Sequence, residues 1–158
     1  MNTRRTLLAA SLLALLAGCA TPTAPVSVAD TLARDPQLST LNTLVQQAGL
    51  SDMLRGAGPY TVFAPTNAAF QGVPAKTMDE LKDPARLKAV LSYHVLPVKM
   101  TAADVKTGNA KTANGADVAV ARAGDFVTVE DAMAQAPEVM ATNGVVYSID
   151  RVLMPPRR

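Results

Sequence analysis

His94 is the chain's single histidine and Cys19 its single cysteine, so acid–base, nucleophilic or metal chemistry has few residues to draw on. A zinc centre needs three or four Cys, His or carboxylate ligands, and this inventory makes a metal site an unsupported expectation. A Ser-His-Asp arrangement would have to combine Ser92 or Ser148 with His94 and a carboxylate such as Asp150. Neither serine has the glycine-flanked setting that presents a nucleophile on a sharp turn. Asp104, Asp117, Asp125, Glu130 and Asp131 lack the alternating carboxylate loop of calcium sites and read as solvated surface acids. There is no phosphate-cradling glycine loop and no dinucleotide fingerprint. Catalysis is not expected, and His94, beside Tyr93 on an apolar stretch, reads as a structural residue.

The surroundings of Cys19 point to a different chemistry. Arg4 and Arg5 precede an apolar run from Leu7 to Leu16 that closes on Leu16-Ala17-Gly18-Cys19. The run is shorter than the roughly 20 residues a spanning helix needs, and small residues lead directly to the cysteine. Residues 1–18 therefore read as a secretion signal, and Leu-Ala-Gly-Cys resembles the bacterial lipobox. In that motif the thiol of the cysteine receives a diacylglyceryl group, the peptide is cut before it, and the new N-terminus is acylated. With no second cysteine to pair with, a free thiol in an oxidising compartment would be a liability, and acylation removes it. The covalent lipid on Cys19 would be the chain's only attached group; no cofactor is expected. Two or more acyl chains hold a protein stably on its membrane where one does so marginally. Ala20, in place of aspartate, resembles the pattern sent to the outer membrane of Gram-negative cells, with the domain facing either the periplasm or the outside.

Removing the signal takes two of the chain's 15 basic residues and none of its 13 acidic ones, so the mature chain is formally neutral. The remaining basic residues are scattered apart from Arg157 and Arg158, which argues against a nucleic-acid partner. Residues 19–27, small and proline-bearing, form a tether. Residues 28–155 are the size of one domain, and 156–158 are a short tail. Aromatic residues make up 4% of the chain and tryptophan is absent. The core must then come from Leu, Val, Ala and Met, and a sugar-stacking platform is disfavoured. Met133, Met140 and Met154 read as core or strand residues.

The elements that would position these residues follow from periodicity and punctuation. Leu38, Leu41, Leu44, Val45 and Ala48 continue a helical pattern that begins at Val28 and stops at Gly49. A short turn carries Met53 and Leu54, and Gly56-Ala57-Gly58-Pro59 breaks it. Tyr60 to Ala64 is β-rich and ends at Pro65, after which Thr66 can cap a short helix through Phe70. Asp83-Pro84 starts another helix, placing Leu87, Val90 and Leu91 on one face. That helix is expected to stop near Ser92, with Tyr93 to Leu96 as a strand before Pro97. Val118 and Val120, then Phe126, Val127 and Val129, predict a hairpin around Gly124. Asn143-Gly144 predicts a second hairpin through a turn with positive φ. Helices early and strands late favour an α+β fold.

Three segments in order and spacing carry a family resemblance. They are Tyr60-Thr61-Val62-Phe63-Ala64-Pro65-Thr66-Asn67-Ala68-Ala69-Phe70, then Tyr93-His94, then Asn143-Gly144-Val145-Val146-Tyr147-Ser148-Ile149-Asp150 running on to Pro155. Together they resemble the fasciclin domain from about Val28 to Pro155. The resemblance implies a compact wedge of β-strands with helices packed around it, and a role in adhesion rather than catalysis. It also implies a partner contact at Tyr93 and His94, which requires both to be exposed. Tyr147 stands where the trailing signature commonly has histidine, so a role needing two histidines is not expected. The expected function is a lipid-anchored envelope module that presents one such domain to a protein or glycan. The alternative is a periplasm-facing lipoprotein that carries a small apolar ligand or assists envelope assembly.

Overall fold

The computed structural model describes residues 25–156. Several of its helical turns start where short polar side chains satisfy otherwise unpaired amides. Ser27 caps α1 (Val28–Arg34), accepting from the Asp30 amide. Asp35 accepts from the Gln37 amide and starts a single 3-10 turn, Pro36–Leu38, ahead of α2 (Ser39–Gln47). The expected continuous helix is thus split, because Pro36 disfavours helical backbone in the residue before it. Gly49, at φ 69°, ends this region as expected, and α3 (Ser51–Arg55) follows.

Strand β1 (Tyr60–Pro65) ends at the proline, and Thr66 caps α4 (Asn67–Gln71) by accepting from the Ala69 amide. Helix α5 (Ala75–Glu80) buries none of its residues. In α6 (Pro84–Tyr93), Asp83 accepts from the amides of both Ala85 and Arg86. Against expectation, α6 runs through Tyr93 and His94 is its C-cap; only Val95–Leu96 form strand β2. The restriction from Pro97 reaches one residue back, while burial of Leu87, Val90, Leu91 and Tyr93 holds the last helical turn in place.

Strands β3 (Gly108–Lys111), β4 (Asp117–Ala123), β5 (Phe126–Val129), β6 (Ala132–Ala141) and β7 (Gly144–Ile149) complete the described elements. Among the described residues they form one sheet in the order β2-β1-β7-β6-β5-β4-β3. All neighbours are antiparallel except β1 and β7, which run parallel with Val62 opposite Val146 and Phe63 opposite Tyr147. The α+β expectation holds, with both predicted hairpins present as β4–β5 and β6–β7.

Successive strand side chains point to opposite faces, and β1 and β7 are covered on both. Val62 and Val146 join a helix-side core with Leu32, Leu41, Leu54 and Val90. Phe63, Val145 and Tyr147 join a strand-side core with Val118, Val129 and Ile149. The Phe63 and Tyr147 rings stack at 5.5 Å, within the range where aromatic pairs contribute beyond area burial. Tyr147 donates its hydroxyl hydrogen to the Met100 carbonyl at 2.9 Å.

Thr61, fully buried in β1, fastens the segment after β2. Its hydroxyl donates to the Val98 carbonyl at 2.6 Å and accepts from the Met100 amide at 2.8 Å. Thr61→Val keeps the shape and removes both bonds, so it should cost about 2 kcal/mol. Urea unfolding would register that loss, and hydrogen exchange at the Met100 amide should quicken. An unchanged Met100 exchange rate would show that the hydroxyl does not hold this segment.

Candidate functional site

Tyr93 and His94, two of the residues singled out for chemistry, lie where α6 ends and the chain after β7 crosses it. The His94 ring lies between the Val90 carbonyl, 2.8 Å from Nδ1, and the Leu153 amide, which donates to Nε2 at 2.9 Å. A carbonyl only accepts and an amide N–H only donates, so Nδ1 carries the hydrogen and the imidazole is neutral. Burial pushes the His94 pKa down to about 4, partly opposed by the bond to the Val90 carbonyl. The His94 carbonyl accepts from the Phe63 amide at 2.9 Å. One residue therefore joins α6, β1 and the segment Arg151–Pro155.

Tyr93 is buried beside it and points its hydroxyl toward the β4 and β5–β6 regions. That hydroxyl lies 3.2 Å from both the Asp117 carbonyl and Glu130 Oε1. Burial first, then the Glu130 charge, pushes its pKa up to about 12. Glu130 also accepts from the Ala119 amide at 2.9 Å and adopts φ 52° in the β5–β6 turn. A cavity of about 550 Å³ opens over this hydroxyl, lined by Asp117, Glu130, Asp131, Arg151 and Met154 among others. On the other side of the Arg151–Met154 segment lies one of about 430 Å³, lined by residues of α4 and α5.

The expectation of a partner contact at Tyr93 and His94 is corrected by this geometry. The two side chains are 3% and 1% exposed, and both ring nitrogens of His94 are engaged by main chain. The same engagement leaves no free nitrogen to serve Ser92 or Ser148 as a base. Asp150, the carboxylate considered for such a triad, accepts from the Met133 amide at 2.8 Å. Asp104 accepts from the Thr101 hydroxyl at 2.6 Å. These acids have local structural duties.

A second junction lies at the other end of β7. The Asn143 side chain accepts from the Val28 amide and donates to the carbonyls of Leu54 and Gly56, at 2.7–2.8 Å. Its own carbonyl accepts from the Tyr60 amide. The predicted positive φ at Asn143-Gly144 is not found, since neither residue adopts it. Glycine is required at 144 because a Cβ there would collide with the Tyr60 backbone.

Met133 and Met140 are strand residues, as expected, and Met154 is neither core nor strand. Met133 and Met140 are each 48% exposed, and Met154 is 39% exposed. In β6 the inward positions near Met133 are taken by Ala132 and Ala134, which leaves Met133 on the outer face. Composition alone could not assign an outward side, because methionine suits cores and contact surfaces alike. Cys19, the expected lipid attachment residue, lies outside the described residues, as do the signal and most of the tether.

The family model for the fasciclin domain matches residues 36–155. This chain belongs to the fasciclin domain family. It is 41% identical to the cell surface glycolipoprotein MPB83 of Mycobacterium bovis, across 88% of this chain and 71% of that protein. Identity is 40% to the immunogenic protein MPB70 of the same species, covering 87% and 77%. It is 37% to protein sll1483 of Synechocystis, covering 83% and 74%. The fold is similar to that of a domain pair from the insect cell adhesion molecule fasciclin I, with TM-score 0.65 and 18% identity. That match covers 82% of this chain and about half (51%) of the longer one. Fold likeness by itself does not carry function.

Proposed function

We propose that this fasciclin-domain chain is a lipid-anchored envelope protein that works by binding, without turnover. The reading is carried by the match to a protein named as a cell surface glycolipoprotein over 88% of this chain, taken with the Leu16-Ala17-Gly18-Cys19 segment. In this reading Cys19 bears the lipid, residues 19–27 tether the domain to the outer membrane, and the domain meets a protein or glycan of the envelope or its surroundings. The binding reading is favoured over an enzyme because the chain's only imidazole is committed to main-chain partners.

Protease digestion of intact and permeabilised cells carrying a C-terminally tagged copy tests the reading. Digestion in intact cells would place the domain outside and support adhesion. Protection until permeabilisation would place it in the periplasm, remove direct cell–cell adhesion, and favour an envelope-assembly role. A Cys19 peptide of unmodified mass would overturn the lipid anchor in either case.

A further inference from the structure

We propose that the end of the domain carrying Val26, Val139 and Met140 docks on the phospholipid surface to which the chain is tethered, fixing the domain's orientation on its membrane. The inference rests on the anchor reading and deepens it.

The exit point of the tether carries the argument. Val26 is not a loose linker residue: its carbonyl accepts from the Thr142 amide at 2.8 Å, and the Val28 amide donates to Asn143 Oδ1 at 2.8 Å. The chain is thereby fastened to the β6–β7 turn as it leaves the domain. Val139 and Met140 stand next to that turn, 44% and 48% exposed. Adjacent strand residues point to opposite faces, and a strand with one face on a core would bury one of such a pair. Here both are open, and together with Pro25, Val26, Thr31, Arg34 and Asp35, whose carboxylate accepts from the Gln37 amide, they line a depression of about 260 Å³.

From Cys19 to this depression there are only six residues, Ala20 to Pro25. Fully extended, such a segment reaches roughly 20 Å. A lipid on Cys19 therefore keeps this end within roughly 20 Å of the headgroups. A short tether also turns docking into an intramolecular event at roughly millimolar effective concentration, so a weak interfacial affinity is enough. Interfacial side chains enter about 5–10 Å into the headgroup and acyl boundary, a depth that Val139 and Met140 can supply, with Arg34 offered to phosphate.

Met133 provides a matched control. It is the same residue type on the same strand with the same 48% exposure, and because the ladder shifts register between Gln135 and Val139, setting Ala134 opposite Ile149 and Met140 opposite Val145, it lies about five strand steps, roughly 17 Å, from Met140. With the Cys19 thiol blocked by lipid, Met140→Cys or Met133→Cys gives one labelling site in the full lipidated chain. Each protein would carry an environment-sensitive fluorophore and be reconstituted into phosphatidylethanolamine–phosphatidylglycerol vesicles containing a doxyl-labelled lipid. Quenching should be at least three-fold stronger at 140 than at 133. Adding Val139→Ser and Arg34→Gln to the Met140→Cys chain should reduce its quenching at least two-fold.

Equal quenching at the two sites in vesicle-bound protein would overturn the docking surface and leave the anchor standing. Undiminished quenching in the triple variant would assign the contact to the fluorophore and overturn it as well. Failure to float with vesicles, with a Cys19 peptide of unmodified mass, would overturn the anchor and the docking surface together.

Discussion

Gly144→Ala should lower the unfolding free energy by about 4 kcal/mol, at the upper end of what single substitutions do. Gly144 opens β7 directly opposite Tyr60 in the parallel register. A Cβ there would run into the Tyr60 carbonyl oxygen, carbonyl carbon and amide nitrogen. These are backbone atoms at the start of β1, and the Tyr60 amide is already bonded to the Asn143 carbonyl. No side-chain rotation can relieve the clash. The two parallel strands must separate locally, which disturbs the pairing that joins the helix-side core to the strand-side core. With a total stability of 5–15 kcal/mol for an ordinary domain, such a loss should be visible as partial unfolding near 37 °C. Gly72→Ala is the control, because a Cβ there meets only the Ala69 carbonyl oxygen at an ordinary 3.5 Å; it should change stability by less than about 0.5 kcal/mol. Chemical denaturation of both variants decides the matter. A Gly144→Ala protein within about 1 kcal/mol of the unsubstituted chain would mean that the strands do not approach this closely.

How legible these features were depended on whether their causes lie close together in the chain. The caps at Thr66 and Asp83 and the stop at Gly49 are local events and could be read from a few residues. The same holds for the β4–β5 hairpin around Gly124, which has φ 64°. The parallel pairing of β1 with β7 could not, because it joins segments about 80 residues apart and leaves no local mark. Strand β3, Gly-Asn-Ala-Lys, has none of the β-branched or aromatic residues that signal a strand. It exists because β4 offers it an edge. Asn143-Gly144 was legible as a hairpin but for the wrong reason: the glycine serves close backbone approach, not a left-handed turn. At the site, the structural reading of His94 was within reach. Its bond to Val90 is four residues away, whereas its bond to Leu153 spans 59 residues and required the fold.

That long-range bond makes a second large effect predictable. In the folded chain His94 stays neutral to about pH 4 because burial opposes its charge; in the unfolded chain it titrates near 6.5. Between those values the unfolded state binds a proton that the folded state refuses, so stability rises with pH across the window. The contribution of His94 is complete above about pH 6.5 and is lost as pH falls toward 4, by on the order of 3 kcal/mol. The chain contains no other histidine, so this window belongs to one group, with carboxylates entering only at its acid end. His94→Gln keeps an uncharged polar side chain and removes the titration. It should be less stable at pH 7.5 by about 2 kcal/mol, since the imidazole's two main-chain partners are imperfectly replaced. Between pH 6.5 and 5 its stability should stay nearly flat while that of the unsubstituted chain falls. Urea unfolding at a series of pH values measures both slopes. If the variant loses stability as steeply as the unsubstituted chain, the proton uptake lies elsewhere and His94 is not held neutral. If the slope disappears, the clamp that fastens Leu153 to α6 sets the acid limit of the fold.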